Sequence, residues 1–110
     1  MSLVEKLRKA RQRNVEVGGY TFTVRRPTDI EAMEMRGVTG IADLLPFVVG
    51  WKGVKEIDLI PGGSAIEIAF DPALAREWLA DRPDLLQPIV ESIMEGYRAH
   101  VAALEGAAKN

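Results

Sequence analysis

Few residues in this chain have the type and spacing to do chemistry. Gly50-Trp51-Lys52-Gly53 has the G-x-x-G spacing with which some RNA-binding domains clamp a nucleic-acid backbone. The plainer reading is an element end with two glycines and a buried tryptophan, and the acids that follow at Glu56 and Asp58 would repel phosphate. Glu91 and Glu95 stand one helical turn apart, where a carboxylate pair could work as acid and base. They alternate with an apolar stripe, which makes them a solvated face. His100 is the single histidine and has no second ligand in view, so it reads as the edge of an interface. There is no Gly-rich phosphate loop and no nucleophile elbow. The expectation is a protein that is not an enzyme and has no cofactor or metal.

Composition narrows the class further. With 110 residues the chain suits one domain, long enough for a modest core without staples. It has no cysteine, which excludes disulfides and thiolate chemistry and fits a reducing cytoplasm. No apolar run approaches the ~20 residues of a membrane span, and the amino terminus lacks a signal-peptide core. Net charge is -2 but unevenly spread. Residues 1–26 carry Lys6, Arg8, Lys9, Arg11, Arg13, Arg25 and Arg26 against Glu5 and Glu16, whereas residues 54–95 carry nine acids against Lys55, Arg76 and Arg82. The basic head could bind nucleic acid or attract the acidic middle of its own or another chain. No aromatic residue interleaves the charges of its helix, so the balance is against nucleic acid, and a small nucleic-acid-binding regulator is the alternative reading.

The elements follow from local chemistry. Ser2-x-x-Glu5 predicts a capped basic helix over 1–13 with a thin stripe of Leu3, Val4 and Leu7. Val15, Val17, Tyr20, Phe22 and Val24 alternate with polar residues around Gly18-Gly19. This predicts a β-hairpin pairing Val17 with Tyr20 and Val15 with Phe22. Thr28-x-x-Glu31 predicts a capped helix to about Arg36 that buries Ile30 and Met33, ended by Gly37 and Gly40. Leu44 to Val54 is the densest apolar run. It reads as a helix capped by Asp43, with Pro46 in its first turn, carrying Leu44, Phe47, Val48 and Trp51. After a loop over 55–64, Ile66, Ile68 and Phe70 alternate as a third strand. Asp71-Pro72 starts a helix with Leu74, Trp78 and Leu79 on one side. The longest helix begins at Pro83-Asp84, with Pro88 either bending its first turn or pushing its start to Leu85, and runs to about Gly106 before a loose tail over 106–110. The expected fold is a single α+β domain, mainly helical, with a hairpin, a third short strand and a long C-terminal helix. Phe47, Trp51 and Trp78 are its expected core anchors. Leu3, Val4 and Leu7, with Tyr97, Val101 and Leu104, lie toward the chain ends and are candidates for self-association or partner binding.

Taken in order, several stretches resemble the tail assembly chaperones of lambda-like phages with long non-contractile tails, in their short, non-frameshifted form. They are Phe22-Thr23-Val24-Arg25-Arg26-Pro27-Thr28, then Phe47-Val48-Val49-Gly50-Trp51-Lys52-Gly53-Val54 with its acidic loop. Ile66-Glu67-Ile68-Ala69-Phe70-Asp71 follows, leading into the helix with Leu74, Trp78 and Leu79, and last comes the helix from Pro83 to His100. The resemblance covers about residues 15–100 and leaves out the basic head. It implies a non-enzymatic morphogenesis factor that coats the aggregation-prone tape measure protein. A frameshifted longer form would recruit the tail tube protein. It further implies a homo-oligomer in the cytoplasm of the bacterial host, prophage-encoded or from an infecting phage, and absent from the mature virion. A subunit of a host complex is the remaining rival. Ala108-Lys109-Asn110 could be encoded by an A-rich slippery run, the kind of site such frameshifting uses.

Overall fold

The computed structural model describes residues 1–35 and 40–109, with the side chains of Ala108 and Lys109 left out. The element order is α1 (Leu3–Ala10), β1 (Gln12–Val17), β2 (Tyr20–Arg25), α2 (Asp29–Glu34), a 3-10 segment (Ile41–Phe47), β3 (Val48–Lys52), α3 (Glu56–Leu59), α4 (Pro72–Leu79) and α5 (Pro83–Lys109). The fold is α+β: one antiparallel sheet in the order β1-β2-β3, covered by helices and crossed by the long C-terminal helix.

The hairpin forms as its residues dictate. Gly18 and Gly19 take φ of 62° and 85°, the left-handed pair that a two-residue turn demands. The register pairs Val17 with Tyr20 and Val15 with Phe22. Phe22 and Val24 are fully buried on the inner face, while Val15, Val17 and Tyr20 pack against the core from its margin.

The third strand is not where the 65–70 alternation put it. Val48–Lys52 occupies the free edge of β2, pairing Thr21 with Lys52, Phe22 with Trp51 and Thr23 with Gly50. The register then jumps so that Val24 meets Val48, leaving Val49 as an extra residue. This bulge reverses the alternation, so Val48 and Trp51, three apart, both reach the core. A three-residue apolar spacing mimics a helix, which is why the Leu44 to Val54 run reads as one. The helical part stops at Phe47 and is 3-10, and its start is closed by the Gly40 N–H donating to Asp43 Oδ2 at 2.9 Å. Asp43 is therefore inside the first turn, not the cap. Residues 65–70 instead run back along the chain after β3. They form one bridge, Lys55 with Glu67, and a bond from Ile68 N to the Val54 carbonyl at 2.8 Å. Ile66 is left exposed.

The core lies between the sheet and α4 and α5. Phe22, Val24, Leu44, Phe47, Val48 and Trp51 meet Trp78, Leu79, Leu85, Leu86, Ile89 and Ile93. Phe47, Trp51 and Trp78 are all buried, with Trp51 on a strand and not a helix. Tyr20, Phe22, Trp51, Phe70 and Trp78 form one ring cluster, with Trp51 and Trp78 perpendicular at 5.9 Å. Such edge-to-face pairs add about 0.5–1.5 kcal/mol each beyond area burial.

Two elements leave the core. α1 ends at Ala10, short of Arg13, because Gln12 and Arg13 are already paired in β1. None of its residues is buried. α5 starts at Pro83 and carries Pro88 inside it, and it continues helically past Gly106 to Lys109, where a loose tail was expected. Its buried residues stop at Ile93. A compact chain of this length has a radius of gyration of about 13 Å. The value here is 15.6 Å with a longest extent of 57 Å, which reflects these projecting helices.

Candidate interaction surfaces

Three surfaces carry the residues that stand out. The first is the α1 stripe. Ser2 Oγ accepts from Glu5 N at 3.1 Å and caps the helix. Leu3 is 73% exposed, and Val4 and Leu7 are more than half exposed. The structure thus shows these three candidates uncovered, with Lys6 and Arg8 flanking them at helical spacing. Tyr97, Val101 and Leu104 do not join them. They lie on α5, with Leu104 exposed and Tyr97 and Val101 half-buried.

The second surface is where α2 meets α5. The Thr28 capping box forms as its spacing predicts: Glu31 N donates to Thr28 Oγ1 and Thr28 N to Glu31 Oε1. The helix is turned differently from the expectation, however. Ile30 is 64% and Met33 57% exposed, whereas Glu31 and Met35 face inward. The cause is Arg25. Its guanidinium forms a two-pronged bond to Glu31 at 2.7 and 2.8 Å and lies 4.5 Å over the Phe47 ring. Arg25 first, and then the Thr28 backbone N–H, hold the Glu31 carboxyl down at about 2, against burial that works the other way. With 31 and 35 on the inner face of so short a helix, 30 and 33 must point out. The helix ends at Glu34 with Met35 as its C-cap, short of the expected stop near Arg36, and Arg36 and Gly37 lie outside the described residues.

Beside it, Asp29 accepts from the Tyr97 hydroxyl at 3.0 Å, and its two oxygens lie 3.3 and 3.4 Å from His100 Nε2. The Tyr97 bond first, then His100, lowers the Asp29 carboxyl, while the same carboxylate raises the Tyr97 phenol. This cluster joins His100, which reads from sequence as an interface edge, to Tyr97, a self-association candidate. No spacing rule links positions 29, 97 and 100.

The third surface is a groove of about 530 Å³ between α3 and α4, which the sequence reading missed. Leu59, Ile60, Leu74 and Trp78 are its apolar lining, and Asp58, Glu77 and Asp81 its acidic lining. Leu74 is 41% exposed: it lines this groove beside Trp78 and does not join the buried core that Trp78 and Leu79 form. At one end burial, and then a bond to Asp58, raise the Tyr20 phenol. Arg82 also borders the groove, but its guanidinium is engaged by Asp84 through two 3.0 Å bonds.

The candidate chemistry resolves in the same way. Gly50 sits in β3 opposite Thr23, and Gly53 follows the strand with φ +84°. The G-x-x-G stretch is thus a strand and its exit. Glu91 and Glu95 are both exposed. Among the described residues, no three His, Cys, Asp or Glu side chains are placed to hold a metal ion, and no helix is long and apolar enough to cross a membrane. Compared with protein-family models, curated proteins and solved structures, the chain has no match.

Proposed function

We propose that this protein is a non-enzymatic phage tail assembly chaperone. It would bind and solubilise the tape measure protein and help recruit tail tube subunits in the bacterial cytoplasm. The observation that carries the reading is the amount of uncovered aliphatic surface. Leu3, Val4, Leu7, Ile30, Met33, Ile57, Ile60, Ile66 and Leu104 are all more than half exposed on a chain of 110 residues. Leu3, Val4 and Leu7 share one face of α1, and a contiguous uncovered stripe of that kind marks a binding surface. An amphipathic helical client offers the complementary stripe. The resemblance over about residues 15–100 supplies the client's identity.

Co-expression with a tape measure protein tests the proposal. The long partner is expected to become soluble and to co-purify with this chain. A partner that stays insoluble, or that is equally soluble alone, overturns the reading. The recruiting arm requires a longer form, so an AAG codon at Lys109 would rule out slippage at that site.

A second reading draws on the arginines around α1. Arg8 and Arg11 line a cleft of about 400 Å³ whose third arginine, Arg25, is already taken by Glu31. Binding of single-stranded RNA or duplex DNA that weakens steeply with salt would favour a nucleic-acid role.

A further inference from the structure

We propose that α1 of one copy docks in the α3–α4 groove of another, so that the chains associate head to tail. The two surfaces match in polarity and charge. α1 presents Leu3, Val4 and Leu7 with Lys6 and Arg8 on either side, and Lys9 and Arg11 follow. The groove is lined by Leu59, Ile60, Leu74 and Trp78 together with Asp58, Glu77 and Asp81. An apolar stripe flanked by cations thus meets a groove lined by apolar side chains and carboxylates. Arg82 does not spoil the match, because Asp84 holds its guanidinium.

Geometry excludes the chain's own α1 as the occupant. Arg11 anchors the helix to the open end of the hairpin: its carbonyl accepts from Arg26 N at 2.9 Å, and its own N–H closes the last turn of α1 on Arg8. The groove is at the other end, where Trp78 packs 5.3 Å from Tyr20, the residue paired with Val17 at the turn. β1 puts about 17 Å between the two ends, at about 3.4 Å per residue. From Arg11, α1 extends only about 12 Å to Leu3 and about 6 Å to Leu7, at 1.5 Å per residue. The stripe cannot reach its own groove while Arg11 stays paired.

The contact joins two different surfaces, so a joined pair keeps one donor helix and one acceptor groove free. Such a contact propagates until it closes a ring or grows a filament. One eight-residue helix in one groove is also a small interface, so association should be reversible and dependent on concentration and salt. The chaperone reading already implies a homo-oligomer; what is added here is the pair of surfaces that join. The test needs no client protein, so its failure is distinct from failure of that reading.

The experiment is light scattering of the full chain at rising concentration, with two variants at exposed positions. Leu7→Glu spoils the donor helix, and Glu77→Lys with Asp81→Lys spoils the groove. Circular dichroism and thermal melting check that both fold as the parent does. The parent is expected to pass beyond dimer mass in low salt, and high salt should weaken its association at least tenfold. Each variant alone should stay monomeric. Their equimolar mixture should stop at twice the 12.1 kDa chain mass, since one sound helix then meets one sound groove. A monomeric parent at all concentrations overturns the proposal and leaves the groove to a different protein. So does a self-associating Leu7→Glu chain, or a mixture of folded variants that fails to pair.

Discussion

The indole N–H of Trp51 donates to the carbonyl of Ile68 at 2.8 Å. That bond ties residues 64–70 to the sheet without making them a strand. The Trp51 ring meanwhile packs edge-on to Phe70 at 5.2 Å and to Trp78 at 5.9 Å. One side chain therefore joins β3, the returning segment and α4.

Trp51→Ala should lower stability by about 3–5 kcal/mol, a large part of a total of about 5–15 kcal/mol. Trp51→Phe keeps most of the ring packing and loses the N–H bond, a loss of about 1–2 kcal/mol. Denaturant melts of the two check this. A Trp51→Ala chain that melts like the parent would mean the ring is not a core anchor.

Gly18→Ala should destabilise by about 2–3 kcal/mol. The left-handed backbone at φ 62° costs a non-glycine residue about 1–2 kcal/mol, and the new methyl would sit 2.6 Å from Leu85 Cδ2 in the core. Gly19→Ala has φ 85° but open space around it, so it should show the backbone part alone. Equal losses at the two sites would contradict this.

Stability should fall as pH drops from about 4.5 to about 2. Glu31 is depressed to about 2 in the folded chain from an ordinary 4.5, so its contribution is complete above 4.5 and is lost as pH falls toward 2. The pair is partly exposed, 27% at Arg25 and 32% at Glu31. Screening therefore brings the effect to the order of 1–2 kcal/mol. The difference in stability between the parent and Glu31→Gln should shrink over this window. A difference that holds constant from pH 5 to pH 2 would show that the pairing contributes nothing there.

Tyr97→Phe should raise the Asp29 pKa toward the usual carboxylate range, with a smaller rise for His100→Ala, because the phenol bond is the larger cause. Carboxyl NMR titration reads this directly. Melting should barely change, since Asp29 is exposed. An Asp29 titration indifferent to Tyr97→Phe would remove the hydrogen bond as its cause.

What the sequence determined by itself was what neighbouring residues decide among themselves. Gly18-Gly19 imposes the turn and hence the Val15–Phe22 and Val17–Tyr20 register, because positive φ at both positions makes a turn whose twist brings the strands back in phase. Thr28 with Glu31 and Asp71 with Pro72 start their helices by satisfying amides within three residues. The rest was decided at long range. β2 offers one free edge, and Val48–Lys52 takes it through a bulge at Val49 that no local spacing announces. The rotation of α2 follows from Arg25, six residues away and on a different element, so Ile30 and Met33 point outward against their pattern. Asp29 finds Tyr97 and His100 from the far side of the chain. The groove exists because α3 and α4 fold beside each other, gathering Asp58, Leu74 and Asp81 from separate stretches. Caps and turns are short-range bonds that the sequence spells out in order. Edges, grooves and exposed stripes depend on which surfaces remain once the core has closed.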